Sequence, residues 1–512
     1  MSDQDLAIKK GFMHRLEKID FRILVWALFI ITVVIRLFYF FQTYSQPVWW
    51  DEGDYMNLAR AWAFGKPGWD LNPLRPVLFP LIVAVLMKVG FSELLFRIIS
   101  ILFSLLAIFI TYKLGKSMYN KYVGIFAATM LAFFWSFLFF TFRLLVDIPV
   151  ASLWLLSLYL FWQGHENNSK RHLIFLGPAI ALTFLMKFTG ALVALAILIY
   201  LLATEGFRWL KNKTLWKTAA FGFTIALPYF IFQWAKFGSP FAFYTRAIGM
   251  MAPNPRSFFR TLMDYILQII PLMHIVYLVL FIIGFIIALR IFFCLDLLRT
   301  NKHKELRADL LTMLSFMIPM LYLIYIGYGL YIEERYSFLS YPLMFILAGN
   351  ALCFIYLKAA KIHKIIGIIL VVLLLGFGSY QNLVHANSAI KEKVNSFIQV
   401  KEAGKLIQES GSADDVVVSF HTQAELQYHA NRRVMGIAGK NETELRDILK
   451  KDKVSFYVAN IFVQPNPESI WKVAFPYQHP EIFTIIGAYE PYIDQEKKIP
   501  ILAVFKVNQT AL

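Results

Sequence analysis

The chain carries about eleven apolar stretches, each close to the ~20 helical residues that span a hydrocarbon core of roughly 30 Å. That pattern predicts a polytopic α-helical membrane protein. Composition agrees, with 58% of residues hydrophobic and only 16% charged, whereas soluble domains carry about 25% charged residues. A disordered chain, a secreted disulfide scaffold and an ordinary soluble enzyme are excluded. The two cysteines, Cys294 and Cys353, sit inside apolar stretches with no companion at zinc or disulfide spacing. The net charge of +17 resides in short Lys/Arg clusters between the stretches, which is a footprint of membrane orientation and not of nucleic-acid binding.

Lys9, Lys10, Arg15, Lys18 and Arg22 precede the first apolar run, so the chain is expected to start in the cytoplasm with a retained first helix. A short segment at 76–90, broken by Pro76 and Pro80, is expected to lie along the outer surface without crossing. With that choice the clusters at Lys113–Lys121, Arg208–Lys217, Arg299–Arg307 and Lys358–Lys364 all fall on the cytoplasmic side. Crossings are then expected near 21–42, 94–112, 123–141, 148–163, 173–187, 190–204, 217–235, 270–290, 309–328, 336–357 and 364–381. An odd number leaves the carboxyl terminus outside.

From about 385 the composition becomes mixed. Period-2 strand signals at 416–420, 454–458 and 501–507 alternate with helical stretches at 394–409 and 442–451. The expected organisation is a transmembrane catalytic domain, 1–384, followed by an extracytoplasmic α/β domain, 385–512.

On this map the acidic residues near the membrane gather on the outer side: Asp51, Glu52, Asp54 and Asp70 in the first loop, Asp147 in the second, Glu333 and Glu334 later. Arg75, Arg143, Lys187 and Arg335 lie at the same level. A charge at the centre of a membrane helix costs about 2.5–3.5 kcal/mol on insertion scales, so Asp147 in RLLVDIPVAS needs water, a partner or a purpose. One outer cavity lined by both signs would satisfy the whole set.

The block VWWDEGDYMNLARAWAFG is the most informative stretch. Adjacent residues on a regular element point in different directions, so of Asp51 and Glu52 one can act while the other orients. Tyr55, Ala59, Trp62 and Ala63 recur at helical spacing and suggest a short interfacial helix with the carboxylates at its amino end, where the dipole favours negative charge for purely structural reasons as well. Trp50 and Tyr55 are candidates for lining a substrate cavity, although a Trp49–Trp50 pair also serves as an interfacial anchor. Bland alternatives exist elsewhere too: snorkelling for Lys187, surface pairing with Glu333 and Glu334 for Arg335, and a satisfied helix position for His274.

With DE opening the first outer loop, an Arg-Pro element before a short helix, an aspartate in the second loop, LMKFTG and ERYSFLSYP, residues 20–360 resemble the GT-C glycosyltransferases, in particular the protein O-mannosyltransferases and lipid A aminoarabinose transferases. The resemblance implies a donor sugar on a polyprenyl phosphate, an active site open to the outer face of the plasma membrane, and a lipid, protein or polymer acceptor. It makes Asp51 the general base with Glu52 as its neighbour, and Asp147 the second acidic residue of the cavity. Arg75, Lys187 and Arg335–Tyr336 then hold the donor phosphate. The chain departs from the family in RPVL, where two prolines are usual, and in KFTG, where glycine usually follows the lysine directly.

The chemistry of the residues agrees. A phosphate leaves as a stable anion, so its displacement asks for cations and one carboxylate to take the acceptor proton. A glycoside hydrolase would instead need two flanking carboxyls, one held protonated. A divalent metal on Asp51 and Asp147 is compatible with this scheme, but nothing at ligand spacing demands one. The competing reading is a transporter or lipid flippase without transferase activity, because buried charges also mark substrate paths. Against it, no internal symmetry is visible in the sequence.

Overall fold

The computed structural model describes residues 21–66, 74–250, 258–299, 303–326, 333–462, 467–494 and 497–512. Asp70, Lys302 and the basic residues before Arg22 lie outside the described residues. As far as the described residues reach, each of the expected apolar segments falls on a helix or helix pair, and eight helices among them are long and apolar enough to cross a membrane. The segment expected to lie on the surface forms the helix Leu78–Lys88, whose 11 residues reach only about 16 Å at 1.5 Å per residue. That is half a hydrocarbon core.

Contacts divide the chain into two units: Met1–Thr43, Ile98–Phe142 and Val146–Ile390 in one, Tyr44–Arg97, Arg143–Leu145 and Lys391–Leu512 in the other. The division differs from a single cut at 384/385, which falls inside the helix Lys364–Lys393. A change of composition marks where the chain turns polar, but the first-loop helices pack against the carboxyl-terminal residues and therefore belong with them.

The first unit is a helical bundle with an apolar exterior. Helix Phe21–Thr43 exposes Ile23, Trp26, Ile30, Val34 and Phe38 along one face and buries Thr32, Arg36, Tyr39 and Thr43 on the other. The outward face is the more hydrophobic one, the reverse of a soluble helix and what lipid as solvent selects. Arg36, fully buried, donates to Ser104 Oγ at 2.9 Å and to the Ala132 carbonyl at 3.3 Å. Close helix packing relies on small residues. A Cβ on Gly177 would stand 1.7 Å from the Thr218 carbonyl oxygen, so helices Lys170–Met186 and Lys213–Phe237 touch backbone to backbone there.

The expected crossing at 123–141 is interrupted: helix Lys121–Phe133 stops at Phe134, whose ψ is 117°, and Trp135–Phe140 continues it. The Trp135 N–H freed by the break donates to Asn382 Oδ1 at 3.1 Å, so a side chain restores what the helix loses. Helix Phe258–Ala288 likewise contains a kink, at His274 with φ 54°.

In the second unit, residues after 390 form a five-stranded sheet in the order β2-β1-β3-β5-β4, from β1 (Val416–Ser419), β2 (Arg433–Gly436), β3 (Val454–Asn460), β4 (Phe483–Asp494) and β5 (Lys497–Val507). β1 pairs in parallel with β2 and β3, while β5 runs antiparallel to β3 and β4. Alternation sorts the side chains into two cores. Val417, Phe456 and Val504 face Val400, Ile407 and Leu426, whereas Val418, Tyr457 and Phe505 face Leu445, Leu449 and Phe475. Helix Glu442–Lys451 begins with a reciprocal capping box between Asn441 and Glu444.

The first-loop helix Asp51–Phe64 and helix Leu78–Lys88 pack on each other, and the former also packs on helix Gln423–Ala430. Nearby, buried Arg97 donates to Glu93 and to the Gln46 carbonyl at 2.6 Å, and Tyr428 OH donates to Glu93 Oε2 at 2.9 Å. The polar segment before Asp51 is thus pinned to its own unit at several points.

Candidate functional site

Asp51, Glu52 and Asp54 occupy the first turn of helix Asp51–Phe64, where the unpaired N–H groups and the dipole favour negative charge. Successive positions point about 100° apart around a helix, and the two members of the DE pair meet different surroundings. Glu52 is fully buried and accepts from Arg143 Nη2, from the Leu144 N–H and from the Trp49 N–H at 2.6 Å. Its partner Arg143 also donates to Gln46 Oε1 at 2.9 Å and lies 3.4 Å above the Trp49 ring. Both oxygens of Glu52 are therefore committed to holding the loop.

Asp51 retains 22% of its side-chain exposure and opens on a cavity of ≈ 650 Å³, together with Trp50, Asp54, Arg75, Gln423 and Glu425. Arg75 binds two carboxylates at once, with Nη1 at 2.8 Å from Asp51 Oδ1 and Nε at 2.9 Å from Asp54 Oδ2. Burial raises the Asp54 pKa, and Asp51 adds to the rise while Arg75 opposes it. For Arg75 itself burial works against the cation, but Tyr55, Asp51 and Asp54 outweigh it and the pKa moves up. Arg75 stays charged in either case.

Tyr55 differs from the expectation of a cavity-lining residue. It is 4% exposed, edge-on to Phe79, with the Arg75 guanidinium 5.6 Å from its ring centroid. Its place four positions after Asp51 turns it under Arg75 and not toward solvent. Trp50 remains 58% exposed at the cavity.

The other expected residues meet in the helical unit. Asp147, 2% exposed, starts helix Asp147–Phe161 and is bracketed by two cations, Lys187 Nζ at 2.5 Å and Arg335 Nη1 at 3.4 Å. Lys187 is placed by the end of helix Lys170–Met186, where the backbone turns extended at φ −161°, ψ 132°. Arg335 is buried in the 3-10 turn Glu334–Leu339 and also pairs with Glu333. Lys187 Nζ lies 4.8 Å over the Tyr336 ring, and the Arg335 guanidinium 5.4 Å from it. Asp147 thus sits as a fixed counter-charge between cations, an arrangement that orders Lys187 and Arg335.

The expected residues therefore form two clusters, each within its own unit. Among the described residues no group of three or more His, Cys, Asp or Glu side chains gathers as metal ligands would. Sequence reading missed Glu425 and left Arg143 without a role. Arg143 had a signal, being a cation four positions before Asp147 at the same level. Glu425 had none, since a glutamate in a short polar helix is ordinary.

Residues 74–232 match the sequence model of the dolichyl-phosphate-mannose-protein mannosyltransferase family, a span that holds Arg75, Arg143, Asp147 and Lys187. No curated protein sequence matches the chain. Among solved structures, ArnT from Cupriavidus metallidurans bound to undecaprenyl phosphate superposes with a TM-score of 0.65 at 14% identity, covering 95% of this chain and 98% of that one. The chain has the GT-C fold. The apo structure of the same ArnT gives a TM-score of 0.64 at 12% identity over 95% and 98% of the two chains. The archaeal oligosaccharyltransferase AglB from Archaeoglobus fulgidus, in complex with an inhibitory peptide and a dolichol-phosphate, gives 0.60 at 13% identity over 90% of this chain and 72% of that one. With this fold and eight helices among the described residues long and apolar enough to cross a membrane, the chain is an integral membrane protein.

Proposed function

We propose that this chain is a glycosyltransferase that moves a sugar from a polyprenyl phosphate to an acceptor on the extracytoplasmic face of the plasma membrane, with inversion and with Asp51 as general base. The observation that carries the reading is the division of labour in the DE pair. Glu52 is consumed by three donors, whereas Asp51 opens on a cavity with Arg75 against it. The undecaprenyl phosphate and dolichol-phosphate bound to the two fold relatives support the donor class.

In this scheme the acceptor oxygen or nitrogen forms a bond to the anomeric carbon as the bond to phosphate oxygen breaks. Asp51 takes the acceptor proton, and the electron pair of the broken bond leaves on the phosphate. No general acid is needed, because the leaving group is already a stable anion. Lys187 and Arg335, ordered by Asp147, neutralise the charge that develops there, and Arg75 sets the orientation and basicity of Asp51. The amino terminus is cytoplasmic and the carboxyl-terminal domain faces outward.

The test is transfer of label from a polyprenyl-phosphate-sugar pool in membranes. Asp51→Asn is expected to lower the rate by about 10²–10⁴, the range for a removed general base. Undiminished transfer by the variant would remove Asp51 from that role, and labelled lipid crossing the bilayer with no product would favour a flippase.

A further inference from the structure

Trp50 carries φ 36° and ψ −109°, a backbone conformation unfavourable for a bulky side chain, and it immediately precedes Asp51. Such a residue persists only when its surroundings over-determine it. Here the determinant comes from the other end of the chain. The Trp50 N–H donates to Glu425 Oε1 at 2.8 Å, and Glu425 is 2% exposed in helix Gln423–Ala430.

The contact is repeated along the helix pair. A Cβ on Gly53 would come within 2.7 Å of the Ala424 carbonyl carbon and 2.9 Å of the Glu425 nitrogen, so only glycine permits the approach. One turn on, Asn57 Nδ2 donates to the Ala424 carbonyl at 2.8 Å, and Arg60 Nη1 donates to the Tyr428 carbonyl at 2.8 Å. Polar groups on the first-loop helix thus find backbone acceptors on the carboxyl-terminal helix at successive levels. Glu425 meets the amino end of that helix, beside the acidic turn.

A carboxyl is a costly choice for a mere spacer at this place. Burial pushes Glu425 up to about 7, its own N–H and that of Trp50 pull the other way, and Asp54 and Glu52 add to the rise. An apolar side chain would avoid the cost of burial but would leave the Trp50 N–H without its acceptor.

We propose that Glu425 is a positioning residue for Asp51: by holding the Trp50 N–H it fixes the strained turn that presents the Asp51 carboxylate to the cavity, so that the carboxyl-terminal domain completes the catalytic centre. The inference rests on the reading of Asp51 as the base. It assigns that domain a part in the chemistry, through one hydrogen bond spanning 375 residues of sequence.

The experiment uses the full-length protein in detergent with a labelled polyprenyl-phosphate-sugar donor. Glu425→Ala is expected to lower kcat at least tenfold with the donor KM within about twofold of wild type, and to speed amide exchange in the peptide 49–55. Glu425→Gln is expected to restore both, because its amide oxygen can accept the same N–H. Full kcat in Glu425→Ala, or a Gln variant as impaired as the Ala variant, would overturn the proposal. So would a lost kcat with exchange at 49–55 unchanged. If Asp51→Asn stays active while Glu425→Ala still loosens 49–55 and slows turnover, the base assignment falls and the positioning of the helix start by Glu425 stands.

Discussion

Replacing Glu52 by glutamine offers a measurement of how much the second loop depends on one buried carboxylate. The Glu52 side chain is 0% exposed and that of Arg143 1%, so removing the negative charge leaves a guanidinium in a site built to neutralise it. Breaking a buried pair in this way costs about 3–5 kcal/mol. The glutamine also presents an NH₂ where the Leu144 N–H or the Arg143 guanidinium now donates, so one donor faces another. For a unit of this size a loss of about 4 kcal/mol lowers Tm by roughly 8–16 °C. The assay is thermal unfolding of the detergent-solubilised protein, run on Glu52→Gln, Arg143→Met and the double variant. Each single change is expected to destabilise by a similar amount, and the double variant to recover much of the loss, because removing both charges is often near neutral. The residual transfer of Glu52→Gln is expected to keep the pH profile of wild type, since Asp51 is untouched. A Glu52→Gln protein melting within 2 °C of wild type, or a double variant whose loss is the sum of the two, would refute the argument.

Lys187→Met and Arg335→Met are each expected to lower kcat/KM for the donor by roughly 10–150-fold, equivalent to the 1.5–3 kcal/mol of a hydrogen bond to a charged group, as read from donor titrations. Asp147→Asn should lower kcat as well, because it releases both cations from the carboxylate that orders them. Glu425 titrates at about 7 in the folded chain against 4.5 in an unfolded one, so between those pH values the folded state holds a proton that the unfolded state has released. Stability is expected to fall as pH rises through that window, and Glu425→Gln should exceed wild type by about 3 kcal/mol at pH 8 but not at pH 4, measured as a pH-dependent gap in Tm. Gly177→Ala is expected to lower Tm in the helical unit, because the new Cβ would meet the Thr218 carbonyl oxygen at 1.7 Å, a clash only a shift of one helix can relieve.

What could be read from the sequence is what local physics decides. Helix positions followed from apolar length, the short helix Leu78–Lys88 from the few apolar residues between Pro76 and Lys88, and the divergence of Asp51 and Glu52 from the angle between neighbours on a helix. Strands β1, β3 and β5 were visible as runs rich in valine and other β-branched or aromatic residues, whereas β2 is an edge strand that starts at Arg433 and ends at Gly436 and β4 shifts register between Ile485 and Gly487. The cost of a charge inside a helical bundle was enough to say that Asp147 needs a partner, but not that Lys187, 40 residues away, and Arg335, 188 away, would supply it together. Which partner answers a buried charge is a property of the packed chain, and many cations on one face satisfy the sequence-level requirement equally well. Glu425 marks the far end of that gradient. Its helix has no periodicity that separates a functional carboxylate from an ordinary one, and its role comes wholly from meeting Trp50 in a backbone conformation that no propensity scale anticipates. Local rules therefore located the residues whose burial is expensive, while the residues that make the expense tolerable emerged only where distant segments touch.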